Sequence, residues 1–217
     1  MSRVRRVADG PAATSEPPDL AGSAHSSRDA AERFLVAGHD DAAATAVLHR
    51  TYADQATIWS EWARSQPDYL APLQHALRHL STRGLVVEVA AGTGQATAAL
   101  VESNPTVLAT DAVAEMVRQG ASLVPAAAWV VADAARLPLR DRCVDVLVCC
   151  NAVFAIDEAR RVLADDGALL VVSSFGDHTP IRHAPQRLLD LMPGWSMTWA
   201  RAAHGDWAIL QREESQQ

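Results

Sequence analysis

The chain has 217 residues, a formal net charge of −7 at pH 7, and an apolar fraction of 49%. This length fits one domain with an appendage, and the apolar content is sufficient for a sizeable buried core. An acidic chain is poorly suited to a phosphate backbone and no apolar run approaches a membrane span of roughly 18 residues, so neither a nucleic acid nor a membrane is an expected partner.

The N-terminal third divides into two predicted regions. Residues 1–27 are rich in Pro, Ala, Gly and Ser without apolar periodicity, which predicts a disordered tail. Residues 28–83 carry helix-forming residues and helix stop signals, so they are predicted to form a helical cap or lid. Its helices are predicted over 28–37, over 40–64 and through Leu73, Leu77 and Leu80.

Residues 84–217 show short apolar runs that alternate with amphipathic helical stretches. The predicted strands are 85–90, 107–110, 129–132, 143–150, 168–174, 195–201 and 207–211. The predicted helices are 95–102, 113–119, 157–164 and 185–192. This alternation predicts an α/β fold with a doubly wound, mostly parallel, seven-stranded sheet, and the closing hairpin predicts one antiparallel edge strand. Ligands of such sheets bind beyond the carboxyl ends of the strands.

The first loop at those carboxyl ends reads Glu88-Val-Ala-Ala-Gly-Thr-Gly94 and joins a strand to a helix. Its glycines permit a tight turn and close approach of a ligand to the backbone. The dinucleotide fingerprint G-x-G-x-x-G does not fit, because Thr97 occupies the third glycine position. A carboxylate at Glu88 would repel a pyrophosphate and suits a cationic, amino-acid-like ligand instead.

This loop resembles motif I of the class I S-adenosylmethionine-dependent methyltransferases, in which an acid precedes G-x-G-x-G; here Ala90 replaces the first glycine. Later segments resemble the same family, and in particular its type 11-like domain. They are Asp111 after the second strand, Asp133-Ala134 after the third, the Leu-Pro step at 137–138, and the passage Glu158-Ala-Arg-Arg-Val-Leu-Ala-Asp-Asp-Gly167.

The resemblance implies a Rossmann-like fold, S-adenosylmethionine as cofactor, and a set of cofactor-binding residues. The residues implied for the methionine portion are Glu88, Ala90, Gly92, Thr93 and Gly94. Those implied for the ribose and adenine are Asp111, Ala112, Met116, Asp133 and Ala134, with Asn151 at the mouth of the site. The implied activity is methyl transfer, and a small-molecule acceptor is expected because no added recognition domain is evident.

Two other functions stay open at this point. A methyltransferase-like protein that binds a ligand without catalysis is compatible with Ala90, and a nicotinamide-dependent oxidoreductase would use Asp111 for its ribose. His178 and His183 follow the fifth strand of the domain and are weak candidates for a general base. Their alternative interpretation is as loop histidines without catalytic duty.

The aromatic and sulfur-containing side chains support only general expectations. Tyr52, Trp59 and Trp62 are candidates for an acceptor pocket or for helix packing, and Trp195, Trp199 and Trp207 suggest a possible homodimer face. The three cysteines, Cys143, Cys149 and Cys150, match no zinc spacing. No metal site is therefore expected, and buried free thiols indicate a cytoplasmic protein.

Overall fold

The computed structural model describes residues 3–20, 25, 27–53, 56–81 and 84–213. Its strands are β1 (Val4–Arg6), β2 (Val86–Val89), β3 (Val107–Asp111), β4 (Ala128–Val131), β5 (Val144–Cys150), β6 (Leu163–Ser173), β7 (Trp195–Ala202) and β8 (Gly205–Arg212). They form one eight-stranded sheet in the order β1-β7-β8-β6-β5-β2-β3-β4. Strand β8 is antiparallel to β6 and β7, and all other neighbours are parallel. The α/β, mostly parallel fold is thereby confirmed.

Helices cover both faces of this sheet. They are α1 (Ser27–Ala37), α2 (Ala42–Ala53), α3 (Ala56–Ser65), α4 (Ala71–Leu77), α5 (Gln95–Ser103), α6 (Ala114–Leu123), α7 (Ile156–Val162) and α8 (Pro185–Leu191). Because side chains alternate along a strand, Val87 packs with α1, α2, α7 and α8, whereas Val86 packs with α4 and α5 on the opposite face. Because helices cover both faces of the sheet, a central strand such as β5 has apolar side chains on both of its faces.

The strand order reverses beside β2, with β3 and β4 on one side and β5 and β6 on the other. The connections that leave β2 and β5 therefore diverge to opposite sides, and a crevice opens between them at the carboxyl ends of the strands. This is the position at which the sequence predicts ligand binding.

The prediction that residues 1–27 form a disordered tail is wrong for Val4–Arg6, which pair with β7 as an eighth strand. The reason is tertiary: the Arg3 guanidinium donates to the carbonyls of Trp195, Leu189 and Met192 at 2.6–2.8 Å. Composition alone does not report such bonds. As a result, β1 is the edge strand, and β7 and the antiparallel strand β8 follow it in the sheet. Residues 1–2, 21–24 and 26 of the predicted tail lie outside the described residues.

A second attachment holds the N-terminal segment further along. The buried Asp68 carboxylate accepts hydrogen bonds from the backbone N–H and the hydroxyl of both Thr14 and Ser15, at 2.8–3.1 Å. Leu20 then packs beside Trp62 in a small cluster with Phe175. The segment thus runs from the sheet edge toward the carboxyl ends of the strands.

The predicted long helix and the predicted roles of the aromatic residues differ in part from the structure. The helical stretch 40–64 is two helices, α2 and α3, and the side chains of Tyr52 and Trp59 lie outside the described part of the chain. Trp195 and Trp207 are buried and Trp199 is half-buried, so these tryptophans do not form an exposed apolar face. Within the described ranges, no helix has the length and apolarity needed to cross a bilayer.

Candidate active site

The loop between β2 and α5 is built on left-handed backbone. Ala90, Gly92 and Gly94 have φ values of +49°, +58° and +93°. A Cβ added at Gly94 would lie 3.0 Å from the Trp129 ring, so this position requires glycine, whereas a Cβ at Gly92 would meet nothing within 4 Å. Open space therefore lies directly above the loop at Gly92, where a ligand can approach the backbone.

Ala90 occupies the position at which the family pattern has its first glycine. An alanine in the left-handed region is strained by roughly 1 kcal/mol because its Cβ approaches the carbonyl oxygen. We expect Ala90→Gly to raise the free energy of unfolding by about 1 kcal/mol, measured by denaturant titration. The neighbouring Ala91→Gly, at a buried residue without positive φ, is the control and is expected to lower it. Equal losses in both variants would contradict the strain at Ala90.

Glu88 lies at the floor of the crevice and is only 2% exposed. Its Oε2 accepts a hydrogen bond of 2.5 Å from the hydroxyl of Thr97, the residue that breaks the dinucleotide fingerprint. Burial raises the pKa of the Glu88 carboxyl to about 8, and the neighbouring Asp111 charge adds to this, while the Thr97 bond opposes it. Within the described residues Glu88 has no cationic partner. A ligand cation would stabilise its anion.

Asp111, at the end of β3, connects two loops of the site. One carboxylate oxygen accepts from the Gly92 N–H at 2.8 Å, and the other accepts from the Val113 N–H at 2.9 Å. Burial raises the pKa of this carboxyl, and the two backbone bonds oppose that rise. Each oxygen keeps a further lone pair for a ligand.

The far wall of the crevice is formed after β4 and by α6. Asp133 accepts from the Ala135 N–H at 2.8 Å, and Ala134 is buried next to it. Met116 of α6 is also buried and lines the same space with Ala112. This wall combines apolar side chains with one carboxylate, a composition that suits a heterocycle with a hydrogen-bond donor at its edge.

Asn151 ends β5 in left-handed conformation, with φ of +54°. Its amide nitrogen donates to the Ser174 hydroxyl at 2.7 Å, and its carbonyl oxygen accepts from the Ser174 N–H at 2.7 Å. Both ends of the side chain are therefore engaged in joining β5 to β6. Asn151 lines the crevice as a fixed wall at its mouth.

The two candidate general bases do not lie in the crevice. His183 is 3% exposed, and its Nε2 contacts the Ala152 carbonyl oxygen at 3.0 Å, which assigns the proton to Nε2. Burial lowers the pKa of His183 to about 4. His178 is exposed on a short turn at Gly176–His178. Neither side chain lines the space next to Glu88 and Asp111.

The empty space of the crevice is about 1060 Å³, and this volume includes the part that is open to solvent. It brings together every residue of the predicted cofactor set except Gly94, which lies behind the loop. It also contains side chains that the motifs do not mark, because they come from other elements. These are Phe34 of α1, Thr45, Leu48 and His49 of α2, Tyr69, Val153 and Ile181. The i, i+3, i+4 spacing of the α2 residues is the one signal in the sequence that places them on a common face.

The sequence matches known proteins in the region of this crevice. Residues 87–171 match a family model described as a methyltransferase domain. A "Putative 23S rRNA (guanine-N(1)-)-methyltransferase" from Micromonospora griseorubida is 37% identical over 152 residues, which are 69% of this chain and 48% of that protein. The chain therefore spans about half the length of this relative.

Solved structures share the fold. A TehB-like SAM-dependent methyltransferase from Corynebacterium glutamicum aligns with a TM-score of 0.56 at 14% identity, over 76% of this chain and 99% of that one. The DhpI–SAH complex aligns with a TM-score of 0.58 at 20% identity, over 76% and 94% of the two chains. The family-model match and the 37% identical relative show that the chain contains a methyltransferase domain, and the solved structures add that its fold is the class I methyltransferase fold, in which S-adenosylmethionine is the cofactor.

Proposed function

We propose that this protein transfers a methyl group from S-adenosylmethionine to a small-molecule acceptor. The observation that carries the acceptor class is the chemistry of the crevice wall. Among the described residues that line it there are three carboxylates, Glu88, Asp111 and Asp133, and no arginine. A crevice with acidic side chains and without an arginine offers no partner to a polyphosphate backbone and accepts a neutral or cationic molecule.

The residues present fit the cofactor. Glu88, buried without a cationic partner, complements the positive charges of the methionine portion, and the open space above Gly92 admits its chain. Asp111 offers lone pairs to the ribose hydroxyls, and Met116, Asp133 and the backbone at 134 form the adenine pocket. S-adenosylmethionine supplies a methyl group on a positively charged sulfur, which is electrophilic without further activation.

The protein's part of the chemistry is positioning. Asn151, fixed by Ser174, and the apolar side chains of Phe34, Val153 and Ile181 form the remaining wall, where an acceptor can be held in line with the methyl group. Such a wall excludes water and offers no proton acceptor of its own. The proposed acceptor therefore presents a lone pair that is available at the working pH.

An RNA base is the second candidate acceptor. It is favoured by the printed name of the Micromonospora griseorubida relative, which is 37% identical over 69% of this chain. The rRNA activity in that name belongs to a protein about twice as long as the matched region. Residues outside the crevice would have to bind the phosphates.

The test is a transfer assay with S-adenosylmethionine carrying an isotopically labelled methyl group. The protein is incubated in parallel with a fractionated small-molecule extract and with protein-free 23S rRNA, and label is located by mass spectrometry. We expect label in a low-mass product. Label in the RNA would overturn the small-molecule acceptor in favour of the second candidate. Binding of the cofactor without transfer to either pool would favour a non-catalytic binding protein, and binding of NADH instead would favour an oxidoreductase.

A further inference from the structure

Helix α2 forms one side of the crevice, here called the roof. Thr45, Leu48 and His49 lie on the helix face that lines the crevice. The roof is held in place from behind, because Ala44 and Leu48 are 0% and 5% exposed and belong to the main core. His49 is the next residue after this buried anchor and lies at the solvent-facing rim of the crevice.

His49 and Asp111 line the same crevice. A positive charge on the His49 imidazole lowers the pKa of the Asp111 carboxyl, which places the two side chains within electrostatic reach of each other. The two residues are 62 positions apart in sequence and come from different elements, α2 and β3. Their juxtaposition is a product of the fold, and none of the cofactor motifs includes it.

A ribose held by Asp111 alone would be incompletely hydrogen-bonded. Each hydroxyl of a vicinal diol has one proton to donate and lone pairs to accept with, and a carboxylate can only accept. A donor is therefore needed on the other side of the diol. Polar groups that enter a buried site without partners cost about 1–3 kcal/mol each.

Other polar side chains of the crevice are already engaged in the described part of the structure. The Thr45 hydroxyl donates to the Asp41 carbonyl, and the Asn151 amide donates to Ser174. The Gln95 amide donates to the Thr93 hydroxyl. Among the described residues His49 has no hydrogen-bond partner, and it has a ring N–H to donate.

We propose that His49 is a cofactor-binding residue, whose ring N–H donates a hydrogen bond to a ribose hydroxyl that itself donates to Asp111. This proposal rests on the proposed function only for the identity of the bound nucleoside. The role is in binding, since His49 lines the crevice together with Asp111, the proposed ribose ligand, and interacts electrostatically with it. In this proposal the α1–α2 pair also takes part in binding, because α2 supplies the hydrogen-bond donor of the ribose site and β3 supplies the acceptor.

The test is isothermal titration calorimetry of the full chain with S-adenosylhomocysteine, which binds without reacting. We expect His49→Ala to weaken binding by about 5- to 10-fold, the effect of one hydrogen bond. His49→Gln, which retains an N–H donor, is expected to recover most of this affinity. Arg50→Ala is the matched control, because Arg50 is the neighbouring exposed residue of α2 and does not line the crevice.

A second measurement tests the shared ribose directly. If His49 and Asp111 bind the same diol, the losses in His49→Ala and Asp111→Asn should be less than additive in the double variant. Thermal denaturation without ligand reports whether each variant folds. Affinity of His49→Ala within twofold of Arg50→Ala would overturn the role of His49. Absence of S-adenosylhomocysteine binding by the wild-type protein would overturn the cofactor assignment itself and this proposal with it.

Discussion

Asp111→Ala is expected to weaken S-adenosylhomocysteine binding by about 100-fold or more, because hydrogen bonds to a charged group contribute about 1.5–3 kcal/mol each and a ribose can make two. The variant also removes the acceptor of the Gly92 and Val113 N–H groups, so the loop that cradles the methionine portion loses its tie to β3. Isothermal titration calorimetry with the full chain measures the loss.

Two further variants test whether the loss of affinity comes from the carboxylate of Asp111. Asp111→Asn keeps one acceptor oxygen and the side-chain shape, so its affinity should lie between those of wild type and Asp111→Ala. Asp165→Ala removes an exposed carboxylate that pairs with Arg142 and should leave affinity unchanged. If Asp111→Ala bound S-adenosylhomocysteine as tightly as Asp165→Ala, a ribose contact at Asp111 would be wrong.

The second large effect is a pH dependence of stability that Glu88 imposes. Its pKa is about 8 in the folded protein, against 4.5 for an unperturbed glutamate. Between these values the folded protein keeps a proton that the unfolded chain loses, so the free energy of unfolding falls as the pH rises. Over the window from about pH 4.5 to 8 we expect a decrease on the order of a few kcal/mol. Denaturant titrations at several pH values measure it.

Glu88→Gln is expected to remove this decrease, because an amide does not titrate. The comparison between variants is needed because buried His183, with its pKa lowered to about 4, affects stability in the opposite sense below pH 6.5. Glu102→Gln, at an exposed position on α5, serves as the control and should follow the wild-type curve. A Glu88→Gln curve that declines with pH as steeply as wild type would show that Glu88 is not the group responsible.

The strands that hold the site were predictable because their environment is simple. β2 and β5 are buried on both faces except at the exposed Asp145, and strands of this kind have mostly apolar sequences, interrupted here by Glu88 and Asp145. The predicted cofactor residues follow such strands directly, so the topology alone brings Glu88, Asp111 and Asn151 to one crevice. These residues are far apart in sequence, but each lies at or just after the carboxyl end of a strand, and a parallel sheet places those ends side by side.

The sequence predictions that differ from the structure depend on tertiary contacts. β1 is only three residues long and includes two arginines, so its conformation depends on the free edge of β7 rather than on its own propensity. His178 and His183 follow β6 in sequence, but in this stretch the side chain that lines the crevice is that of Ile181 and not that of either histidine. Arg28 holds this stretch by donating to the carbonyls of Asp177 and Thr179. The sequence alone does not place His49 beside Asp111, since a helical pattern does not tell which neighbouring element a given residue meets.

The short strand at the N-terminus also protects the protein from self-association. A parallel partner on β7 occupies hydrogen-bonding groups that would otherwise recruit a strand from another molecule, and the next exposed backbone belongs to a strand of only three residues carrying Arg5 and Arg6. Short, charged outer strands are poor templates for edge-to-edge stacking. We therefore expect residues 4–6 to reduce aggregation through this edge of the sheet. A shortened chain that begins at the first helix would leave the edge of β7 exposed.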